Sequence, residues 1–195
     1  MKDLAIEIPT ASLADGYLSN LALLIKKIDL NAIERIVAKI NEIRENDGMV
    51  YLAGNGGSSA TASHLANDLG KTIRKGNNKL LRVSCLSDNT PWFTALANDE
   101  GYDCVFAGQL ENFAKPNDLL IVISASGNSK NLIKAVDLAK SRGVYTVGFL
   151  GFDGGVLKDI VDDYLWIPTE KGEYQLVEDI HSILCHVLTV CLSAK

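Results

Sequence analysis

Five short apolar runs constrain what this chain can fold into: MVYLAG at 49–54, LLRVSCLS from Leu80, LLIVIS from Leu119, VYTVGFL from Val144 and YLWIP ending at Pro168. Each is nearly continuous in apolar side chains rather than alternating, as a strand buried on both faces requires. Stretches of helical periodicity separate them. Strands alternating with helices close into a parallel sheet through right-handed crossovers. The pattern therefore predicts an α/β fold, a three-layer αβα sandwich around a five-stranded, doubly wound parallel sheet of the flavodoxin-like kind. Ligands of such sheets bind beyond the carboxyl ends of the strands.

Two of those ends carry related loops. After the first run comes AGNGGSSATASHLANDL, in which Asn55, Gly56 and Gly57 permit a sharp turn and Ser58 and Ser59 are placed to cap the following helix. After the third comes ISASGNSKN, where Ser124, Ala125, Ser126, Gly127, Asn128 and Ser129 again follow an apolar strand and open a helix. Free N–H groups and the positive end of a helix dipole favour an anion at each. Neither loop closes with the Gly-Lys-Ser/Thr of a nucleotide-binding P-loop, and neither is GxGxxG, so a sugar phosphate is the expected ligand.

His64 and Asp68 lie one turn apart on the helix after the first loop. Imidazole and carboxylate are both metal ligands and acid/base groups. The other two histidines, His181 and His186, share the last helical stretch, about 175–192, with Glu178 and Asp179. Between the two loops, Asn89 to Pro91 read as a turn into a short helix that carries Trp92 and Phe93 and ends near Asn98 and Asp99. Capping and sugar-hydroxyl contact are both open to that last pair.

A helical pair from about Ser12 to Asn46 precedes the first strand, with Asp29 and Asn31 as caps between its members and Asp47-Gly48 closing the second. It has no partner inside a simple α/β unit and is expected to contact another subunit. The 195 residues are read as one domain, 1–47 forming the helical pair and 48–195 the core. A net charge of −5 gives no basic footprint for nucleic acid. Lys71, Arg74, Lys75 and Lys79 form a small basic cluster, read as a solvated helix end or a local phosphate contact. No signal peptide or membrane span is expected, and Cys85, Cys104, Cys185 and Cys191, with no CxxC, read as reduced cytoplasmic thiols.

Taken together, AGNGGSSATASHLANDL, ALANDE, SASGNSKNLIKAVDLAKSRGVYTVGFLG and VEDIHSILCHVL resemble the phosphoheptose isomerase branch of the sugar isomerase (SIS) family, from about Leu13 onward. The resemblance implies a cytoplasmic homotetramer that interconverts sedoheptulose 7-phosphate and D-glycero-D-manno-heptose 7-phosphate. It further implies a divalent metal, typically zinc, at sites between subunits. Carried over residue by residue, it places substrate on Asn55, Gly56, Gly57 and Ser58, on Asn98 and Asp99, and the phosphate on Ser124, Ala125, Ser126 and Ser129. The metal positions fall on His64, Asp68, Glu178 and His186, where the family has His, Glu, Gln and His. The two departures leave metal binding chemically sensible but point also to a different phosphosugar, and Asp68 and His186 are the expected acid/base pair.

Helix geometry sets one condition on that metal set. Glu178 and His186 are eight residues apart, about 80° around a helix and about 12 Å along it. They can converge on one ion only if the helix is irregular at Glu178. Asp179 with His186, or Glu178 with His181, share a face better. The resemblance also leaves room for an isomerase of another phosphosugar, or for a sugar-phosphate sensor without catalysis.

Overall fold

The computed structural model describes residues 9–74 and 79–194. Helices α1 (Thr10–Ile25) and α2 (Leu30–Glu45) lead into β1 (Met49–Gly54) and α3 (Gly57–Asn67). Strand β2 (Arg82–Cys85), α4 (Thr90–Asp99), α5 (Ala107–Phe113) and β3 (Leu119–Ser124) follow. The chain finishes with α6 (Lys130–Ser141), β4 (Tyr145–Leu150), α7 (Gly155–Ile160), β5 (Asp163–Trp166) and α8 (Tyr174–Ser193). The strands pair in parallel in the order β2-β1-β3-β4-β5, so the α/β sandwich read from the apolar runs is the fold observed.

Alternate residues of each strand enter different cores. Val50, Leu52, Leu119, Ile121, Ile123, Val147 and Phe149 pack with α2, α3 and α8. Tyr51, Ala53, Leu120, Val122 and Leu150 pack with α4, α5, α6 and α7. All six residues of β3 are buried, which is why its sequence shows no alternation. Asp118 ties the amino end of the sheet together: its carboxylate accepts the N–H of Met49 and of Lys115 at 2.8 Å each, and its carbonyl accepts Tyr145 N–H. The carboxyl end is left for loops.

Of the two expected caps, Asp29 is the one observed, accepting Asn31 N–H at 2.9 Å, while Asn31 lies inside α2. Asp47 takes a positive φ of 59° as α2 closes, and Gly48 N–H returns to the Ile43 carbonyl. Helix α1 docks on α8, where the Tyr17 hydroxyl donates to Asp179 at 2.5 Å. Loss of solvent and the neighbouring carboxylate push that phenol up to about 12. By length and composition α8 could cross a membrane, yet half of it is buried inside this fold.

His181 sits inside that helix, 1% exposed, beside the Phe149 ring with centroids 6.1 Å apart. Neither ring nitrogen has a hydrogen-bond partner of acceptable geometry among the described residues. Burial lowers its pKa from 6.5 to about 4, with the Leu150 backbone opposing part of the shift. The unfolded chain therefore takes up a proton near pH 6.5 that the folded one refuses until about pH 4. Stability falls as pH drops across that interval and levels off below it, by about 3 kcal/mol in all. Urea midpoints for wild type and His181→Leu at pH 7.5 and pH 4.5 should show the loss in wild type and a smaller one in the variant.

Candidate active site

Gly56, with φ 55°, makes the turn after β1, and α3 starts at Gly57. The glycine N-cap corrects the expected role of Ser58 and Ser59: the helix begins before them, and no side chain caps it. Its first N–H groups are left to a ligand. A Cβ at Gly57 would lie 2.5 Å from the Glu178 carboxylate, so a larger residue here would push that side chain aside.

The loop after β3 is folded by its own hydroxyls. Ser124 Oγ accepts Gly127 N–H at 3.1 Å and Ser126 Oγ accepts Asn128 N–H at 3.3 Å. Gly127, at φ 63°, has no room for a side chain, since a Cβ would meet the Gly154 carbonyl. The two loops are joined by a reciprocal amide pair: Asn55 Nδ2 donates to Asn131 Oδ1 at 3.0 Å, and Asn131 Nδ2 donates to Asn55 Oδ1 at 2.9 Å. The Tyr102 hydroxyl also donates to Asn55 Oδ1, at 2.9 Å. Between the loops lies a cavity of about 190 Å³ that brings together Asn55, Ser58, Ser124, Ala125, Ser126, Ser129 and Glu178.

The second group lies further along the same helices. His64 and His186 place their Nε2 atoms 3.0 Å apart, and Asp68 Oδ2 is 3.4 Å from His64 Nε2. One ligand atom from each of the three lies within 4.8 Å of the others. A tetrahedral zinc with Zn–N near 2.0–2.1 Å holds its ligand atoms roughly 3.3 Å apart, so this donor set fits a first-row divalent ion and leaves a position open. Asp68 is buried and oriented, Oδ1 accepting from Thr72 at 3.0 Å and Oδ2 from Thr189 at 3.3 Å. It opens a single π-helical turn, Asp68–Thr72, a local widening frequent at functional positions.

Glu178 does not join that trio. Helix α8 is regular from Tyr174, so the irregularity that convergence with His186 required is absent from this chain. The contacts Gly57 to Glu178, His64 to His186 and Asp68 to Thr189 show α3 and α8 running side by side in one direction. Glu178 is thereby set beside the cavity between the two loops, about 12 Å along the axis from His186. Asp179 is engaged by Tyr17. Asn98 and Asp99 lie exposed at the end of α4, Asn98 Nδ2 donating to Asp99 Oδ1 at 2.7 Å, and do not line the cradle.

Trp92 and Phe93 form edge-to-face pairs with Phe113, and with Phe106 and Tyr102, so both are packing residues. Lys79 donates to the Glu45 carbonyl at 2.8 Å, ending α2, while Lys75 lies outside the described residues. All four cysteines are free, and burial pushes the Cys85 thiol up to about 11 and Cys185 up to about 12. Thr72, Thr189, Asn131 and Tyr102 are contributors that sequence reading misses. Only Asn131 carried a local signal, following the second serine loop by two residues.

Hydroxyl-rich loops follow two neighbouring strands of the parallel sheet, with a helix starting at each, and residues 16–151 match the SIS domain family of sugar isomerase folds. The phosphoheptose isomerase of Helicobacter pylori strain Shi470 is 42% identical over 154 residues, 77% of each chain. The probable phosphoheptose isomerase of Thermoplasma acidophilum is 35% identical over 172 residues, 87% of this chain and 92% of that one. The structure of the Neisseria gonorrhoeae phosphoheptose isomerase superposes with a TM-score of 0.87 at 26% identity, over 96% of this chain and all of the other. The chain belongs to the phosphoheptose isomerase family and is an isomerase.

The amide pair fixes how the two loops face each other. Asn131→Ala removes the acceptor of Asn55 Nδ2 in a half-buried site while Tyr102 still donates to Asn55 Oδ1, so a loss of roughly 1–3 kcal/mol is expected. Equilibrium unfolding in urea measures it.

Proposed function

We propose that this chain interconverts sedoheptulose 7-phosphate and D-glycero-D-manno-heptose 7-phosphate through an enediol(ate). The observation that carries the reading is the convergence of His64, Asp68 and His186 along the α3–α8 pair, whose amino-terminal ends flank the cavity between the serine loops. The names of the relatives support it.

In this reading Ser124, Ser126 and Ser129, the Ala125 backbone and the free N–H groups at Gly57 and Ser58 hold the phosphate. Their binding energy positions the reacting carbons without taking part in the chemistry. Asp68 and His186 share the proton transfers between C1 and C2. Thr72 and Thr189 keep the Asp68 carboxylate aimed at His64 and His186. His64, Asp68 and His186 would hold a divalent ion, zinc in our reading, which when bound polarises the substrate carbonyl. Glu178, the acidic member of the cradle, is assigned to sugar hydroxyls, and Asn98 and Asp99 to substrate brought near by another subunit.

A second reading rests on Glu178. Among the residues lining the cradle it is the charged one, and it is negative. A sugar phosphate that presents its hydroxyls differently would suit that carboxylate, which keeps another phosphosugar isomerisation in play.

We infer further that helical pair and core act as one domain in a cytoplasmic homotetramer, with sites completed between copies. Leu13, Leu18 and Leu23 of α1 are 57%, 61% and 58% exposed, and at five-residue spacing they are spread around the helix, so assembly that covers them would enclose α1 on more than one side. Light scattering of a Leu18→Glu, Leu23→Glu double variant should then report a smaller species than wild type. An unchanged mass rules out α1 as the contact.

Proton NMR of the protein with sedoheptulose 7-phosphate in D₂O tests the reaction. Deuterium incorporation and aldose appearance, lost with chelator, are expected. Asp68→Asn and His186→Ala should lower turnover by roughly 100-fold or more while the circular dichroism is retained. A metal-loaded, folded sample without exchange on this sugar removes the sedoheptulose reading.

A further inference from the structure

The cradle has an aromatic wall that the proposed chemistry does not use. Tyr174, the first residue of α8, is 49% exposed and lines the 190 Å³ cavity together with the serine loop and Glu178. Its ring stands edge-to-face on Phe152, centroids 5.0 Å apart and planes at 79°. Among the described residues nothing hydrogen-bonds its hydroxyl. An exposed tyrosine at the start of a helix normally has freedom to turn away; this one is braced.

The brace is built at some cost to the backbone. Phe152 is buried yet has a φ of 47°, in the left-handed region that a bulky residue rarely occupies. Two side chains hold it there: Phe152 N–H donates to Thr169 Oγ1 at 3.3 Å, and Trp166 Nε1–H donates to the Phe152 carbonyl at 3.1 Å. Phe152 lines a neighbouring cavity of about 300 Å³, which shares Ser126 with the cradle, while Tyr174 lines the cradle itself. The Phe152–Tyr174 pair is thus the partition between the two spaces.

We propose that Tyr174 is a substrate-contacting, specificity-determining residue, its ring packing on the C–H face of the sugar chain next to the phosphate. This rests on the phosphosugar reading of the cradle. A sugar has apolar C–H faces as well as hydroxyls, and a flat ring fixed beside hydroxyl-rich loops matches that mixed surface. Phe152 is the positioning residue, and the partition keeps the sugar from slipping into the neighbouring cavity.

Calorimetric titration of the full chain with sedoheptulose 7-phosphate and, separately, with inorganic phosphate tests the assignment. Tyr174→Ala should weaken the sugar phosphate roughly tenfold, about 1.4 kcal/mol, and leave inorganic phosphate unchanged. Tyr174→Phe should bind both like wild type. In turnover assays the alanine variant should raise KM with kcat held within about twofold, as loss of uniform binding does. Equal sugar affinity in wild type and Tyr174→Ala overturns the proposal and leaves the phosphosugar reading standing. A loss as large in Tyr174→Phe overturns the ring contact. Wild-type protein that binds neither ligand overturns the phosphosugar reading and this assignment with it.

Discussion

Burial of a parallel sheet on both faces is the constraint from which the remaining structure follows. In β3, with every residue buried, the one polar side chain, Ser124, stands at the carboxyl end, where the Gly127 N–H reaches it. Chemistry is thereby displaced to the strand ends. Asp118 occupies the amino end with hydrogen bonds to three elements of the backbone, so the carboxyl end, with its glycine turns and serines, is where a ligand can be met. The free N–H groups at Gly57 and Ser58 exist because glycine rather than a capping side chain begins α3.

The parallel contact of α3 with α8 then decides which polar residues meet. Gly57 admits Glu178, and the same alignment, two turns on, pairs His64 with His186 and, a further turn on, Asp68 with Thr189. One packing choice yields both the cradle's carboxylate and the cluster of two imidazoles with a carboxylate. It also separates them, so the His64–Asp68–His186 cluster and the cavity between the serine loops are stations along one helix pair rather than a single crowded pocket.

Much of this was legible in the sequence for identifiable reasons. The strands LLIVIS and MVYLAG appear at the positions read, because burial on both faces writes itself as continuous apolar composition. His64 and Asp68 are local neighbours, so helix periodicity sufficed to pair them. Thr72 and Thr189 were not visible as Asp68 partners: one depends on a π turn that no periodicity announces, the other lies 121 residues from Asp68 and meets it through tertiary packing. Asn131 and Tyr102 likewise meet Asn55 only through tertiary packing, from elements distant in sequence. The serine cap expected at Ser58 failed because Gly56 can reach a positive φ and starts the helix earlier.

The reciprocal amides of Asn55 and Asn131 have a consequence for ligand recognition. Because each side chain both gives to and takes from the other, the loop after β1 and the loop after β3 cannot loosen independently. A group that settles on one loop removes disorder from both, and the next group to arrive meets a surface already ordered. The two ends of a single ligand are thereby made cooperative with each other, and a fragment carrying only one end gains less than its share of the contacts.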